Sequence, residues 1–145
     1  MLQIIDIEAG AARTQMPLEE LIMNLHSGYS SGHISGSAGY CVFCEIIDGR
    51  VPSVVHHMDD DVVVITNQLR WVPVMLLVIP RQHLTQEELW GGEILSKVSA
   101  VALEMGKKFC PGGFRLLSNF GHDAIQSQSH GHLHVLGGTR LGPYV

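Results

Sequence analysis

At 145 residues with 46% apolar content, the chain can bury one sizeable core and is too short for two ordinary domains. A formal net charge of −5 gives no sign of the basic stripe of a nucleic-acid binder, although backbone amides and neutral imidazoles can still hold a small nucleotide. Three cysteines do not make a disulfide framework, the Val72 to Pro80 apolar run is too short for a bilayer, and Met1 to Asp6 lacks a basic n-region, so a cytoplasmic setting without membrane attachment is expected.

From the N-terminus, Met16 to His26 predicts a short helix, with Pro17 at a first helical position and Leu18, Leu21, Ile22 and Leu25 at helical spacing. Ser27 to Gly39 is rich in Gly and Ser and reads as a flexible linker. Residues 1–39 are therefore expected to be an extension and residues 40–145 the domain proper. Cys41 to Asp48 predicts a helical turn ended by Gly49. Ser53 to Met58 and Val62 to Thr66 are β-branched runs separated by Asp59-Asp60-Asp61. An acidic triplet can hold a metal, but a solvated hairpin turn suits this one better.

Val74 to Ile79, set between Pro73 and Pro80, predicts a central strand. Thr85 to Phe109 predicts a long helix: Thr85 and Glu88 form a capping-box pattern, and Leu89, Ile94, Val98, Val101, Met105 and Phe109 line one side. Gly91-Gly92 weakens its first turns, Lys107 and Lys108 suit its C-terminus, and Pro111-Gly112-Gly113 ends it. Phe114 to Asn119 and Gly131 to Leu136 complete the strands. The order β-β-β-α-β-β predicts an α+β fold, an antiparallel sheet of about five strands with one long helix.

The chemistry concentrates in His130-Gly131-His132-Leu133-His134. On a strand, alternate side chains share a face, so the three imidazoles would lie together with Leu133 and Val135 packed beneath. Imidazole serves as nucleophile, acid/base or metal ligand near neutral pH, and crowding three of them favours uncharged rings. Cys41-x-x-Cys44 by itself reads as a redox pair or half of a zinc site, and no flanking βαβ pattern supports thioredoxin-like chemistry. Cys110 reads as a helix-end core residue.

Three stretches together carry a family resemblance. They are Leu76-Leu77-Val78-Ile79-Pro80-Arg81-Gln82-His83, Cys41-Val42-Phe43-Cys44-Glu45-Ile46-Ile47 followed by Pro52, and Gln126-Ser127 leading into His130 to Gly138. From Tyr40 to Gly138 the chain resembles the histidine triad (HIT) superfamily, nucleotide-binding (Hint-like) branch. The resemblance implies a HIT-like fold and a homodimer joined through the long helix and the strand Phe114 to Asn119. It implies a hydrolase or transferase acting at the α-phosphorus of purine nucleotide conjugates, of phosphoramidate or dinucleoside polyphosphate type. In that scheme His132 is the nucleophile and forms a nucleotidyl-histidine, and His134 donates to a phosphoryl oxygen. Ser127 serves the leaving group or phosphate, while Asn67, Asn119 and Gln126 line the nucleotide site. A subset of relatives binds zinc at the positions of Cys41, Cys44, His83 and His130, a closed tetrahedral and therefore structural set.

The chain also departs from the family pattern. Met75 stands where a further histidine is usual, Asn67 replaces the acidic residue that grips the ribose, and Ile125 replaces a glycine. The tail Gly142 to Val145 lacks a tryptophan, and Trp71 and Trp90 read as packing residues. These departures motivate the alternative, a nucleotide-binding or sensing protein with little turnover. A zinc-stabilised interaction module is a third reading. Of the remaining histidines, His56 and His57 are expected on opposite faces of a strand, His122 in a solvated loop, and His26 and His33 in or near the extension.

Overall fold

The computed structural model describes residues 39–143, together with the backbone of Gln3–Ile4 and Thr14–Gln15, which pair as a short antiparallel ladder. The predicted helix from Met16 to His26 and the linker up to residue 38 lie outside the described residues. Five strands make one antiparallel sheet: β1 (Val55–Met58), β2 (Val62–Thr66), β3 (Val74–Pro80), β4 (Phe114–Leu117) and β5 (Leu133–Gly137). Their spatial order is β1-β2-β3-β5-β4, so the histidine-bearing β5 sits inside the sheet. The fold is the expected α+β class.

The sheet is covered on both faces at its centre. Val62, Val64, Leu76, Val78, Leu133 and Val135 pack toward helix α3 (Leu95–Phe109), against Val98, Ala102 and Met105. Val63, Ile65, Leu77 and Ile79 face the other way and meet Phe43 of helix α1 (Val42–Ile47). This explains why β2 and β3 read as unbroken apolar runs: each alternating set has its own cover. The predicted packing of Leu133 and Val135 beneath the histidines holds.

The long helix predicted from Thr85 to Phe109 is two helices, α2 (Gln86–Gly91) and α3. Its capping box is present: the Thr85 hydroxyl accepts from the Glu88 amide at 3.2 Å, and the Glu88 carboxylate accepts from the Thr85 amide at 2.7 Å. The backbone then turns extended at Gly92 (φ −101°, ψ 164°), where a Cβ would come within 2.6 Å of the Glu88 carbonyl oxygen. A paired glycine ends α2 where periodicity alone continued it. Within α3, Gly106 is required because a Cβ there would meet the Phe114 ring at 2.4 Å, so helix and strand pack closely.

Asp59 closes the β1–β2 hairpin, its Oδ1 accepting from the amides of Asp61 (2.8 Å) and Val62 (2.7 Å), while Asp61 pairs with Lys97 of α3. The acidic triplet is a turn, as expected. Cys110 is buried against Gly137, also as expected. Trp90 differs from the packing role expected of it: it is 44% exposed and meets Phe120 edge-on at 5.9 Å. Among the described residues no helix is long and apolar enough to cross a membrane.

Candidate active site and metal centre

β5 begins only at Leu133, so His130 and His132 precede the regular strand on which three alternating histidines were expected. Their segment is held by the chain between β3 and α2. The Gly131 amide donates to the Leu84 carbonyl at 2.6 Å, and a Cβ on Gly131 would sit 2.7 Å from the Thr85 carbonyl oxygen. Any larger residue would push the two segments apart. Beside this contact, the side-chain amide of buried Gln86 bonds both the N–H (3.0 Å) and the carbonyl (3.2 Å) of His132.

The result is that the three rings separate in role. His132 is 3% exposed, and its Nδ1 lies 2.8 Å from the His130 carbonyl oxygen. A carbonyl can only accept, so Nδ1 carries the proton and Nε2 presents a lone pair. The His134 ring lies 4.9 Å away, centroid to centroid. Its Nε2 is the one side-chain nitrogen or oxygen among the described residues that is buried without a hydrogen-bond partner. Burial, and then the neighbouring His132, push the His134 pKa down to about 4. Burial also lowers His132, partly offset by its bond to the His130 carbonyl. Both rings are therefore neutral at pH 7, as crowding required. Phe43 from α1 packs edge-on to His132 at 5.2 Å and to His130 at 5.8 Å.

The His130 ring turns away from His132 and His134. Its Nε2 donates to the Pro80 carbonyl at 2.8 Å, which leaves Nδ1 as a lone pair facing Cys41 Sγ (3.5 Å) and Cys44 Sγ (3.6 Å). His83 brings its Nδ1 to 3.3 Å from Cys44 Sγ. The four ligand atoms lie within 4.8 Å of one another, so the cluster can hold a metal ion. Sulfur and nitrogen ligands of tetrahedral zinc stand about 3.5 Å apart, given Zn–S near 2.3 Å and Zn–N near 2.0 Å. The three sulfur–nitrogen separations of 3.3–3.6 Å fit that edge length. The bond from His130 Nε2 to a carbonyl is the outer-sphere partner that metal-bound histidines normally have. Without a cation, burial and the adjacent Cys41 push the Cys44 thiol up to about 11.

The other residues singled out from the sequence divide. Asn119 follows β4, and its carbonyl accepts from Gln86 Nε2 at 3.2 Å, which places its backbone beside His132. Gln126 is committed to its own loop, accepting from the Gly121 amide (2.8 Å) and donating to the Gln128 carbonyl (3.1 Å). Ser127 is exposed in that loop. Buried Asn67 caps a turn, its Oδ1 accepting from the Leu69 amide at 3.0 Å. Met75 is buried, and its sulfur accepts from the Trp71 amide at 3.0 Å. Ile125 has φ +57°, a left-handed backbone that a β-branched residue rarely adopts. His122 is exposed beside Asp123, and His56 turns toward α3, bonding Thr66 Oγ1 at 2.6 Å and facing the Phe109 ring.

Gln86 and Ser118, whose hydroxyl donates to the His132 carbonyl at 2.6 Å, were missed by sequence reasoning. Only the capping box pointed near Gln86, and it said nothing of what the side chain would reach. A shallow depression lined by Gly113, Arg115 and Arg140 lies at the other end of β5 and holds none of these residues.

A neutral, backbone-anchored imidazole thus sits just before the inner strand of a five-stranded antiparallel sheet, beside a second imidazole on that strand. The HIT domain family profile matches residues 48–141, and the chain belongs to that family. The matched span contains His83, His130, His132 and His134 but not Cys41 and Cys44. The chain is 31% identical over 105 residues to an uncharacterized HIT-like protein of Chlamydia trachomatis, covering 70% of this chain and 95% of that relative. The fold of this chain is similar to that of a HIT family hydrolase from Clostridium thermocellum: TM-score 0.68, 31% identity, 75% of this chain and 99% of that one. A zinc-bound histidine triad family protein from Mycobacterium smegmatis is also similar, with TM-score 0.61 and 26% identity over 67% of this chain and 73% of that one.

Proposed function

We propose that the chain is a hydrolase or transferase that cleaves nucleoside 5′-phosphate conjugates at the α-phosphorus through a covalent nucleotidyl-His132 intermediate. The observation that carries this reading is the His132 ring, neutral and bonded through Nδ1 to the His130 carbonyl so that Nε2 keeps a lone pair. An N–P bond forms as that lone pair attacks, and the bond from phosphorus to the leaving group breaks with its electron pair. The leaving group takes up a proton, with Ser127 the candidate donor. Water then adds to phosphorus, the N–P bond breaks, and a nucleoside monophosphate departs. Phosphoryl transfer depends chiefly on positioning and charge stabilisation, and His134 supplies a neutral N–H for the phosphoryl oxygens. Asn119, Gln126 and Asn67 complete the nucleotide site, and the base is a purine.

Cys41, Cys44, His83 and His130 hold zinc in this reading. The zinc ties α1 and the segment after β3 to the start of the triad and stays apart from the chemistry. Residues 40–145 are the domain and residues 1–39 an extension. Two domains pair through α3 and β4, a pairing supported by the exposure of Leu103 and by the position of β4 at the sheet edge.

Incubation with an adenosine phosphoramidate, quenching in a non-acidic denaturant and mass spectrometry should find a nucleotidyl adduct on His132. Turnover that survives His132→Ala would sink the mechanism. The second reading, nucleotide binding with little turnover, is favoured by one observation. His134 Nε2 lacks a partner on the face where Met75 stands, close to the strand position facing Leu136. Tight nucleotide binding with no adduct and no product would select it.

A further inference from the structure

Gln86 is a fully buried polar side chain in the first turn of α2. Its Oε1 accepts from the His132 amide at 3.0 Å, and its Nε2 lies 3.2 Å from the carbonyl oxygens of both His132 and Asn119. The register of β4 against β5 shows what this replaces. Leu117 stands opposite His134, so an uninterrupted antiparallel ladder would set Asn119 opposite His132. The ladder stops there, and the Gln86 carboxamide occupies the gap as a detached peptide unit. Antiparallel neighbours lie about 4.8 Å apart, so an inserted amide holds the two strands wider than a direct pair would. A carboxamide suits the place because it offers one acceptor oxygen and two N–H donors to backbone groups that need both.

We propose that Gln86 is a positioning residue of the reaction, a spacer that fixes the His132 backbone and its distance from Asn119; this rests on His132 being the nucleophile. The neighbouring Leu84 carbonyl fixes Gly131. The segment from Leu84 to Gln86 therefore holds the N–H of the peptide whose carbonyl orients the His132 ring, through Leu84, and the N–H of the next peptide, through Gln86. Asn119, the candidate phosphate or sugar ligand, receives its separation from His132 through the same amide. The β3–α2 connection thus sets the spacing between the backbones of His132 and Asn119.

The test compares Gln86→Met, close in length but lacking both polar functions, with Gln86→Glu, which keeps an acceptor for the His132 amide and loses the donor. With an adenosine phosphoramidate, Gln86→Met should lower kcat by about 100-fold while KM moves by less than about threefold, the signature of a displaced reacting group. A nitrogen-15 spectrum of the His132 ring should show one tautomer, protonated at Nδ1, in the native protein and a mixture in both variants. The spectrum needs no turnover. If the native protein makes no adduct, the functional reading fails, and the ring spectrum still decides whether Gln86 orients His132. A folded Gln86→Met protein with native kcat and an unchanged ring spectrum overturns the proposal, even if its Tm falls. Should that variant not fold, a single unchanged tautomer in Gln86→Glu overturns it equally.

Discussion

His132 Nδ1 bonds to the main-chain carbonyl of His130 at 2.8 Å, while the His130 ring points the other way, toward Cys41 and Cys44. One residue thus serves two sites through two different groups. His130→Ala removes the ring but keeps the carbonyl. It should lose bound zinc and yet retain nucleotidyl transfer, with kcat reduced by about 10-fold, within the usual range for loss of a support to a metal or active site. His132→Ala should abolish transfer. Equal loss of activity in the two variants would contradict this division of labour.

Removing one thiolate tests the metal centre directly. Cys44→Ala should release zinc, as read by elemental analysis. It should also forfeit a linkage stabilisation of about 3 kcal/mol at free metal 100-fold above its Kd, lowering Tm by on the order of 10 °C. A chelator should do the same to the native protein and have little effect on the variant. Full zinc occupancy in Cys44→Ala would rule out this ligand set.

Ile125 occupies the left-handed region at the end of the His122–Ala124 turn, immediately before Gln126 and Ser127. That conformation costs a residue with a Cβ roughly 1–2 kcal/mol, partly offset by the greater chain entropy a glycine would lose on folding. Ile125→Gly should therefore raise stability by about 0.5–1 kcal/mol in urea unfolding. Its side chain is 53% exposed, so little packing is lost. A destabilised variant would show that the strain is relieved elsewhere.

Acid sensitivity follows from His134. Its pKa falls from an ordinary 6.5 to about 4 in the folded protein, so the unfolded chain takes up the proton first. The stability that the neutral ring contributes is present above pH 6.5 and is lost as pH falls from there toward 4. His134→Leu, placed opposite Leu77 and Leu117, should flatten part of the Tm decline between pH 7 and pH 5. Parallel declines in the two proteins would show that other groups set the acid limit.

Strands β2 and β3, the part of β5 from Leu133 onward, the Asp59 turn and the Thr85–Glu88 cap were legible because each depends on a few adjacent residues. The break at Gly92 was only half visible, since a glycine pair weakens a helix without stating whether tertiary packing will override it. The cysteine pair showed a metal-like spacing, but its meeting with His83 and His130 depends on the sheet order and was reached only through family resemblance. Gln86 carried no signal. Its partners lie 33 and 46 residues away, and no local pattern records that a strand ladder will need a spare amide.

Gly131, bare of a side chain, lets the Leu84–Gln86 segment rest directly on the peptide between two of the histidines. The same short stretch of chain, from His83 to Gln86, thereby touches the thiol cluster at one end and the His132 main chain at the other. Under the proposed function, a small molecule that strips zinc from the cysteines would therefore score as a partial inhibitor of nucleotide turnover without binding beside His132. Its inhibition would be noncompetitive with substrate and reversed by added zinc. Screens against this protein need that control before any hit is assigned to the proposed nucleotide site.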